Sequence, residues 1–168
     1  MMAEPILQVT QLSVGYGDTV VAGNINFEVY PGELFCLIGP NGSGKSTILK
    51  TLIRQIPAIA GNILLDGLPL QSLSWKDLAR RSAAVLTDRI EPELMRCEEI
   101  AAAGRYPHTG KLGLLSETDR QIIDEVIRLV GIEDIRKREF DRISDGQRQR
   151  VLLARALSAT RKLLLLDE

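Results

Sequence analysis

The sequence predicts an α/β fold with a parallel sheet, and two stretches of the chain carry that prediction. Residues 34–38 are an apolar run, and a glycine-rich loop and apolar residues at helical spacing up to Ile56 follow it. Strand, loop and helix in that order are typical of α/β proteins. Four consecutive leucines at 163–166 suit a strand buried on both faces of a parallel sheet. Residues 6–29 indicate antiparallel strands and residues 90–140 helices without strands, so we also expect a β subdomain and a helical insertion.

Two strands are predicted near the N-terminus, over residues 6–14 and 19–29, with the turn Gly15-Tyr16-Gly17-Asp18 between them. In the second strand, apolar and polar residues are interleaved, which indicates an antiparallel sheet with one solvated face. Tyr16 is an aromatic residue on a glycine-flanked turn. From the residues alone its role stays open between packing, the commoner role, and stacking on a nucleotide base.

The loop over residues 39–47 fits the pattern G-x-x-x-x-G-K-[S/T], in which backbone N–H groups surround phosphates. Glycine lets the backbone approach a phosphate closely, and the N-terminus of the following helix favours an anion. Lys45 would reach the β- and γ-phosphates, and the Ser46 hydroxyl would bind Mg²⁺. The alternative is a glycine-rich turn without a ligand, and the flanking patterns argue against it. The predicted phosphate-binding residues are Gly39, Pro40, Asn41, Gly42, Ser43, Gly44, Lys45, Ser46 and Thr47.

The middle of the chain alternates short strands and helices. Residues 61–67 read as a strand closed by an Asp-Gly turn, and residues 83–86 as a buried strand. Ser72 or Ser74 is a candidate N-cap for a helix through residue 80. Ser116 with Asp119 resembles a capping box before an apolar helical stripe that Gly131 would end as a C-cap.

Two further segments are candidates for a nucleotide site. Ser144-Asp145-Gly146-Gln147 precedes a helix, so it is either an ordinary capped start or a second phosphate-binding N-terminus. Asp167 and Glu168 follow the leucine strand at its carboxyl end, where open α/β sheets bind ligands. Asp167 would hold Mg²⁺ through water, and Glu168 would polarise an attacking water. Without the phosphate loop, both carboxylates would read as a solvated strand end.

Composition excludes several classes of protein. A net charge of −1 gives no electrostatic case for binding nucleic acid. No apolar run approaches the roughly 18 residues of a membrane span, and no secretory signal is apparent, so we expect a cytoplasmic chain that at most docks on a membrane protein. The two cysteines are too few for a zinc site or a disulfide framework, and Cys36 is expected to pack inside its strand. His108, the single histidine, is given no catalytic role.

With these segments in hand, the chain resembles the ATPase subunit of ABC transporters from its first strands to its last residue. Residues 39–47 look like Walker A, 143–147 like the family signature L-S-G-G-Q, and 163–168 like Walker B with its catalytic glutamate. The resemblance implies a P-loop NTPase with a RecA-like core over 1–88 and 144–168 and a helical subdomain over 89–143. Tyr16 falls where the family stacks an aromatic ring on adenine, so the resemblance favours stacking on the base over packing.

Three departures from the family pattern stand out. Asp145 replaces a signature glycine, a change that is familiar among iron-chelate importers. The position of the family's Q-loop glutamine, which touches Mg²⁺ and relays to the membrane subunit, holds Thr87, with Asp88 next. The family continues past the Walker B glutamate into a D-loop and a switch histidine, whereas this sequence ends at Glu168. We therefore expect a single ABC ATPase domain that is incomplete at its C-terminus.

The resemblance implies an ATP-hydrolysing, Mg²⁺-dependent subunit of an importer for ferric siderophores, haem or cobalamin. Residues 104–110 look like the loop of that branch. The expected partners are a second copy, whose ATP would meet Ser144–Gln147, an integral-membrane permease and, indirectly, a substrate-binding protein. The chain would lie on the inner face of the membrane. The alternative is a nucleotide-binding module without turnover. A soluble ABC protein of translation or DNA repair would show tandem cassettes or a coiled coil, and neither is present.

Overall fold

The computed structural model describes residues 4–86, 94–110, 112–160 and 162–167. These form two compact units, one reaching Leu78 and the other from Ala79 to Leu166. The first contains an antiparallel sheet and the helix that follows the phosphate loop. The second contains three helices and a pair of parallel strands. The predicted division into residues 1–88 with 144–168 and residues 89–143 stays a prediction.

The sheet of the first unit has four strands in the order β2-β1-β3-β4. Neighbouring strands are antiparallel, as the interleaved N-terminal pattern predicts. Leu12, Val14 and Leu65 are fully buried on its inner face. Between β3 and β4 the turn residues Asp66 and Gly67 have φ values of 51° and 72°, the conformation that favours Asp-Gly in tight hairpins. The strands are β1 (Leu7–Tyr16), β2 (Thr19–Val29), β3 (Ala60–Leu65) and β4 (Leu68–Pro69).

Helix α1 (Lys45–Leu52) packs against β1, but the strand predicted before the phosphate loop is wrong. Residues 34–38 have no regular secondary structure, and no strand among the described residues pairs with them. Leu34 and Ile38 are 89% and 94% exposed, and Cys36 is exposed rather than packed. Phe35 stacks on Phe27 of β2 with ring centroids 4.7 Å apart. An apolar run becomes a strand only where a neighbour takes its backbone hydrogen bonds.

The helices of the second unit begin and end close to the predicted positions. Ser116 caps α4, and its hydroxyl accepts a hydrogen bond from the Asp119 amide over 3.1 Å. At the other end Gly131 has φ 65° and donates to the Arg128 carbonyl, while Ile132 donates to the Ile127 carbonyl, which satisfies the last carbonyls of the helix. After α2 (Trp75–Arg81), which Ser74 caps, the helices are α3 (Cys97–Ala103), α4 (Glu117–Leu129) and α5 (Asp145–Ala159).

A hydrophobic core lies among the three helices of the second unit and the turns between them. The apolar stripe predicted between Ser116 and Gly131 contributes Ile123, Val126 and Ile127 to it, which confirms that prediction. One turn, over Phe140–Arg142, leads directly towards α5. The fully or almost fully buried members of the core are Cys97, Ile100, Ala101, Ile123, Val126, Ile127, Ile132, Ile135, Phe140, Ile143, Val151 and Ala154.

The second unit also contains the parallel strands β5 (Ser82–Val85) and β6 (Leu163–Leu166). Their register runs from Ser82 opposite Leu163 to Val85 opposite Leu166, and α5 packs on β5. The parallel pairing is as predicted, but burial on both faces is not. Leu163 and Leu165 are buried, whereas Leu166 is 55% exposed, because a second layer covers one face of this short pair within the described residues.

A buried ion pair fixes the segment after α3. Arg105 donates to Asp119 over 2.8 Å, with both side chains about nine-tenths buried, and also to the Ser158 carbonyl over 2.7 Å. His108 Nε2 lies 2.6 Å from the Ala159 carbonyl, so the ring has a structural role and donates from that nitrogen. Hydrogen bonds from the hydroxyl and the amide of Ser116, and then from Arg105, lower the pKa of Asp119 to about 2.

Substituting Asp119→Ala should lower the free energy of unfolding by about 3 kcal/mol, since it leaves the buried Arg105 without its carboxylate. Urea titrations followed by circular dichroism measure this. The matched control is Asp124→Ala, which removes a half-buried pair with Arg136 and should cost about 1 kcal/mol, less than the loss of the buried pair. Equal losses in the two variants would contradict the assigned role.

The contribution of Asp119 should also depend on pH. Its pKa is lowered in the folded chain, so the stability that it supplies is present above its unfolded pKa of about 3.9 and is lost as the pH falls towards 2. The difference in unfolding free energy between the unsubstituted chain and Asp119→Ala should therefore shrink from pH 5 to pH 2.5. A difference that stays constant over that range would show that the ionised carboxylate is not the stabilising group.

Candidate functional site

The phosphate loop joins the irregular segment at 34–38 to α1. Gly42 and Gly44 have φ values of 81° and 93°, in the left-handed region that favours glycine. Gly44 is the N-cap of α1, and no side chain among the described residues caps that helix. A bond from the Ser43 amide to the Pro40 carbonyl, 3.2 Å long, closes the loop. The first amides of α1 are therefore left to a ligand, as at other anion-binding helix starts.

Lys45 folds its side chain back over the loop. Its Nζ donates to the carbonyls of Gly39 and Pro40 over 2.7 and 2.9 Å. The ammonium group thus lies over the start of the loop that precedes the helix amides. The ammonium carries a full positive charge, and the amides at the helix start carry a partial one. This combination suits a polyanion such as the phosphate chain of a nucleotide.

Strand β2 supports the loop from behind, a contact that the sequence pattern does not reveal. A Cβ atom added to Gly44 would lie 3.1 Å from Cβ of Ala22 and 3.2 Å from Cγ1 of Val21. Gly44 is itself buried. The loop therefore needs glycine here for its backbone conformation and for the close approach of β2.

Tyr16 ends β1, opposite Thr19 of β2, and 56% of it is exposed. The hairpin that carries Tyr16 also supplies the Val21 and Ala22 contact to the loop. The exposed ring is free of a packing role in the core. Its stacking on adenine stays a prediction.

The second candidate segment lies in the second unit, at the start of α5. The Gln147 amide donates to the Ser144 hydroxyl over 3.4 Å, and Gln147 Oε1 accepts from the Ser144 amide over 3.0 Å. This reciprocal capping box confirms Ser144 as the N-cap. It also directs both side chains at their own helix. Within the described chain the amides of Asp145 and Gly146 make no hydrogen bond, so they are the groups of this segment that remain for a ligand.

The remaining predicted residues lie at or beyond the edge of the described chain. Asp167 directly follows β6, as expected for a carboxylate at the carboxyl end of a parallel strand. Thr87, Asp88 and Glu168 lie outside the described residues, and their roles stay predictions. Among the described residues no cluster of three or more His, Cys, Asp or Glu could hold a metal ion by itself. The exposed Ser46 hydroxyl and the Asp167 carboxylate are nevertheless oxygen ligands of the kind that suits Mg²⁺. Beside a nucleotide, Mg²⁺ usually binds only one or two protein oxygens and takes its other ligands from phosphates and water.

A surface groove of the first unit does not compete with the phosphate loop as a nucleotide site. A groove of about 480 Å³ on the first unit is lined by residues of β3 and its neighbours, among them Thr10, Asn62 and Gln71, and by none of the predicted site residues. Its open shape and the lack of a charged side chain in its lining do not suit a nucleotide. In the part of the chain that the structure describes, no helix has the length and apolar character needed to span a bilayer.

In comparisons with known proteins, residues 22–168 of the chain match the family model of the ABC transporter. The uncharacterized ABC transporter ATP-binding protein MJ0873 of Methanocaldococcus jannaschii is 44% identical over 97% of this chain and 56% of its own length. The iron(3+)-hydroxamate import ATP-binding protein FhuC of Bacillus subtilis is 40% identical over 96% of this chain and 60% of its own length. The chain thus spans under two thirds of the length of these relatives.

Solved structures give the same family. One described as an inward-facing conformation of a metal-chelate type ABC transporter has a TM-score of 0.79 and 28% identity, over 98% of this chain and 60% of that chain. The structure of cbiO1 from Clostridium perfringens, part of the ABC transporter complex cbiONQ, has a TM-score of 0.78 and 27% identity, over 98% of this chain and 65% of that chain. These similarities confirm the predicted fold class, an ABC-type P-loop NTPase with an antiparallel β subdomain.

Substituting Gly44→Ala should weaken nucleotide binding at least about tenfold, because the added Cβ meets β2 and forces a left-handed alanine. Isothermal titration calorimetry with ATP measures this. Gly67→Ala is the matched control, since Gly67 also has positive φ, at 72°, but has open space around it. That control should lose about 1 kcal/mol of stability and keep its affinity for ATP. Similar affinity losses in both would indicate a general effect of unfolding.

Proposed function

The chain belongs to the ABC transporter family, and from that premise we propose that it is the ATP-binding and ATP-hydrolysing subunit of an importer. The proposed cargo class is the metal chelates, namely ferric siderophores, haem or cobalamin. Two named relatives support this class: the iron(3+)-hydroxamate import protein of Bacillus subtilis and the cobalamin import ATP-binding protein BtuD of Halobacterium salinarum, the second at 35% identity.

The observation that carries the proposal is the open start of α1. Gly44 caps it without a side chain, and the Lys45 ammonium group lies over the loop that precedes it. An ordinary helix start would use Ser, Thr, Asp or Asn as its cap, whereas this one has a glycine. An uncapped helix start beside a lysine is suited to hold the phosphates of ATP.

Each residue would contribute by position and charge. Lys45 would leave the carbonyls of Gly39 and Pro40 and bind the β- and γ-phosphates. Ser46 and Asp167 would hold Mg²⁺, which when bound neutralises charge on the phosphates. Glu168 would orient the water that attacks the γ-phosphate, and Tyr16 would stack on the adenine. Thr87 or Asp88 would stand in for the Q-loop glutamine.

The proposed assembly contains two copies of this subunit. Each ATP would lie between the phosphate loop of one copy and the Ser144–Gln147 segment of the other. Closure of the two copies would drive an integral-membrane permease, which receives its cargo from a substrate-binding protein. The subunit would accordingly lie at the inner face of the membrane, in the cytoplasm, and it would not bind nucleic acid.

Substituting Lys45→Ala should weaken ATP binding at least about a hundredfold, because it removes the cation nearest the β- and γ-phosphates. Equilibrium binding of a fluorescent ATP analogue measures this. The matched control Lys76→Ala removes an equal charge from α2 and should bind as the unsubstituted chain does. Micromolar binding retained by Lys45→Ala would overturn the proposed site.

Substituting Glu168→Gln should leave ATP binding intact and lower turnover by about a hundredfold or more, because an amide cannot polarise water as a carboxylate does. Phosphate release under saturating ATP and Mg²⁺ measures turnover. The control Glu133→Gln, on an exposed turn, should turn over normally. If the unsubstituted chain binds ATP without any turnover, hydrolysis by this chain is excluded and the alternative of a binding module holds. Unchanged turnover in Glu168→Gln would exclude the assigned role of Glu168.

A further inference from the structure

Arg148 lies in the second turn of α5 and reaches back across the start of that helix. Its Nε donates to the Phe140 carbonyl over 3.3 Å and its Nη2 to the Asp141 carbonyl over 2.8 Å. Its Nη1 lies 3.3 Å from Asp145 Oδ1. The guanidinium also sits 5.9 Å from the centre of the Phe140 ring. One side chain therefore touches both the approach to α5 and the first residue of the helix.

The two carbonyl contacts fix the approach to the helix. Phe140 is 4% exposed and belongs to the core of the second unit, so the turn that it begins is held from within. The planar guanidinium ties that turn to α5 from outside, with a geometry that a lysine could not reproduce. The direction in which the first amides of α5 point is thereby set.

The third contact concerns charge. Asp145 is the first residue of α5, its side chain is 96% exposed, and its amide and that of Gly146 are the ones left without partners in the described chain. A carboxylate at this place stabilises an isolated helix, but it also repels an incoming phosphate. Arg148 supplies the opposite charge three residues later, on the same face of the helix.

We propose that Arg148 is a positioning residue of the trans phosphate site: it aims the first turn of α5 and neutralises Asp145, so that an anionic phosphate can approach the amides of Asp145 and Gly146. This inference rests on the proposed function, in which that phosphate belongs to ATP held by a second copy of the chain. It explains how an aspartate is tolerated where the family signature has a glycine.

A purely structural role for Arg148 makes a different prediction. Exposed ion pairs three residues apart contribute little to helix stability, and Asp145 already favours the helix start by itself. If Arg148 acted through stability alone, its loss would have the same consequence whether residue 145 is aspartate or glycine. If it acts on charge as proposed, its loss matters chiefly while Asp145 is present.

The experiment measures ATP-dependent association of the chain by sedimentation velocity, in ATP with EDTA, which withholds Mg²⁺ and prevents hydrolysis. Four chains form a double-mutant cycle: unsubstituted, Arg148→Gln, Asp145→Gly and the double variant. Arg148→Gln should lower the association constant about tenfold, because the dimer has two equivalent sites and each should be weakened about threefold. The double variant should recover to within about threefold of Asp145→Gly. Equal losses from Arg148→Gln in both backgrounds would overturn the inference.

Two controls complete the test. Arg142→Gln removes an equal charge from a side chain that is 74% exposed and paired with Glu139, and it should associate as the unsubstituted chain does. An equal loss in Arg142→Gln would show that net charge alone matters, and it would overturn the role of Arg148. If Arg148→Gln does not fold, Arg148→Lys, which keeps the charge, should associate more tightly than Arg148→Met. No difference between these two would overturn the inference as well.

Failure of the inference can be distinguished from failure of the proposed function. Binding of a fluorescent ATP analogue by dilute, monomeric chain reports the phosphate loop alone and should be equal in all four chains of the cycle. If the unsubstituted chain binds the analogue but never associates in ATP, the two-copy assembly is wrong and the inference falls with it. If it associates and Arg148→Gln associates equally well, only the inference is overturned.

Discussion

Every helix start leaves backbone amides without partners, and the way in which this chain meets that constraint differs among its three longest described helices. At α4, Ser116 and Asp119 form a capping box that leaves the first two helix amides open, and Arg105 binds the same carboxylate. At α5, Ser144 and Gln147 form a capping box, but two amides stay open. At α1, Gly44 offers no side-chain cap at all. The missing side-chain cap thus sets the start of α1 apart from the capped starts of α4 and α5.

Local signals predicted most of the elements. Capping residues such as Ser116 and Ser144, the Asp66-Gly67 turn and Gly131 after α4 each specify a backbone conformation through groups within a few residues of one another. The segment over 34–38 was mispredicted because its state depends on what lies beside it. Burial of β6 was overestimated for the same reason, since four leucines do not specify how many layers cover them.

In the candidate site, too, the features encoded by local sequence were predictable and those that depend on distant residues were not. The identities of the residues over 39–47 and at 144–147 followed from motif patterns, which are local. The approach of Ala22 to Gly44 was not predictable, because it joins residues 22 positions apart through a strand pairing whose register the sequence does not show. The threefold contact of Arg148 was also missed, although its spacing from Asp145 was visible. The functional roles of Tyr16, Asp167, Thr87, Asp88 and Glu168 stay predictions.

The exposed segment at 34–38 has a consequence for solubility. Leu34 and Ile38 present apolar side chains to water beside backbone groups that no described strand pairs with, which is the character of an unprotected sheet edge. Such an edge favours intermolecular strand pairing, the route by which many chains precipitate. Aggregation of this kind would require no ATP and would grow with concentration and temperature. The stretch that leads into the phosphate loop is therefore also a candidate site of misassembly.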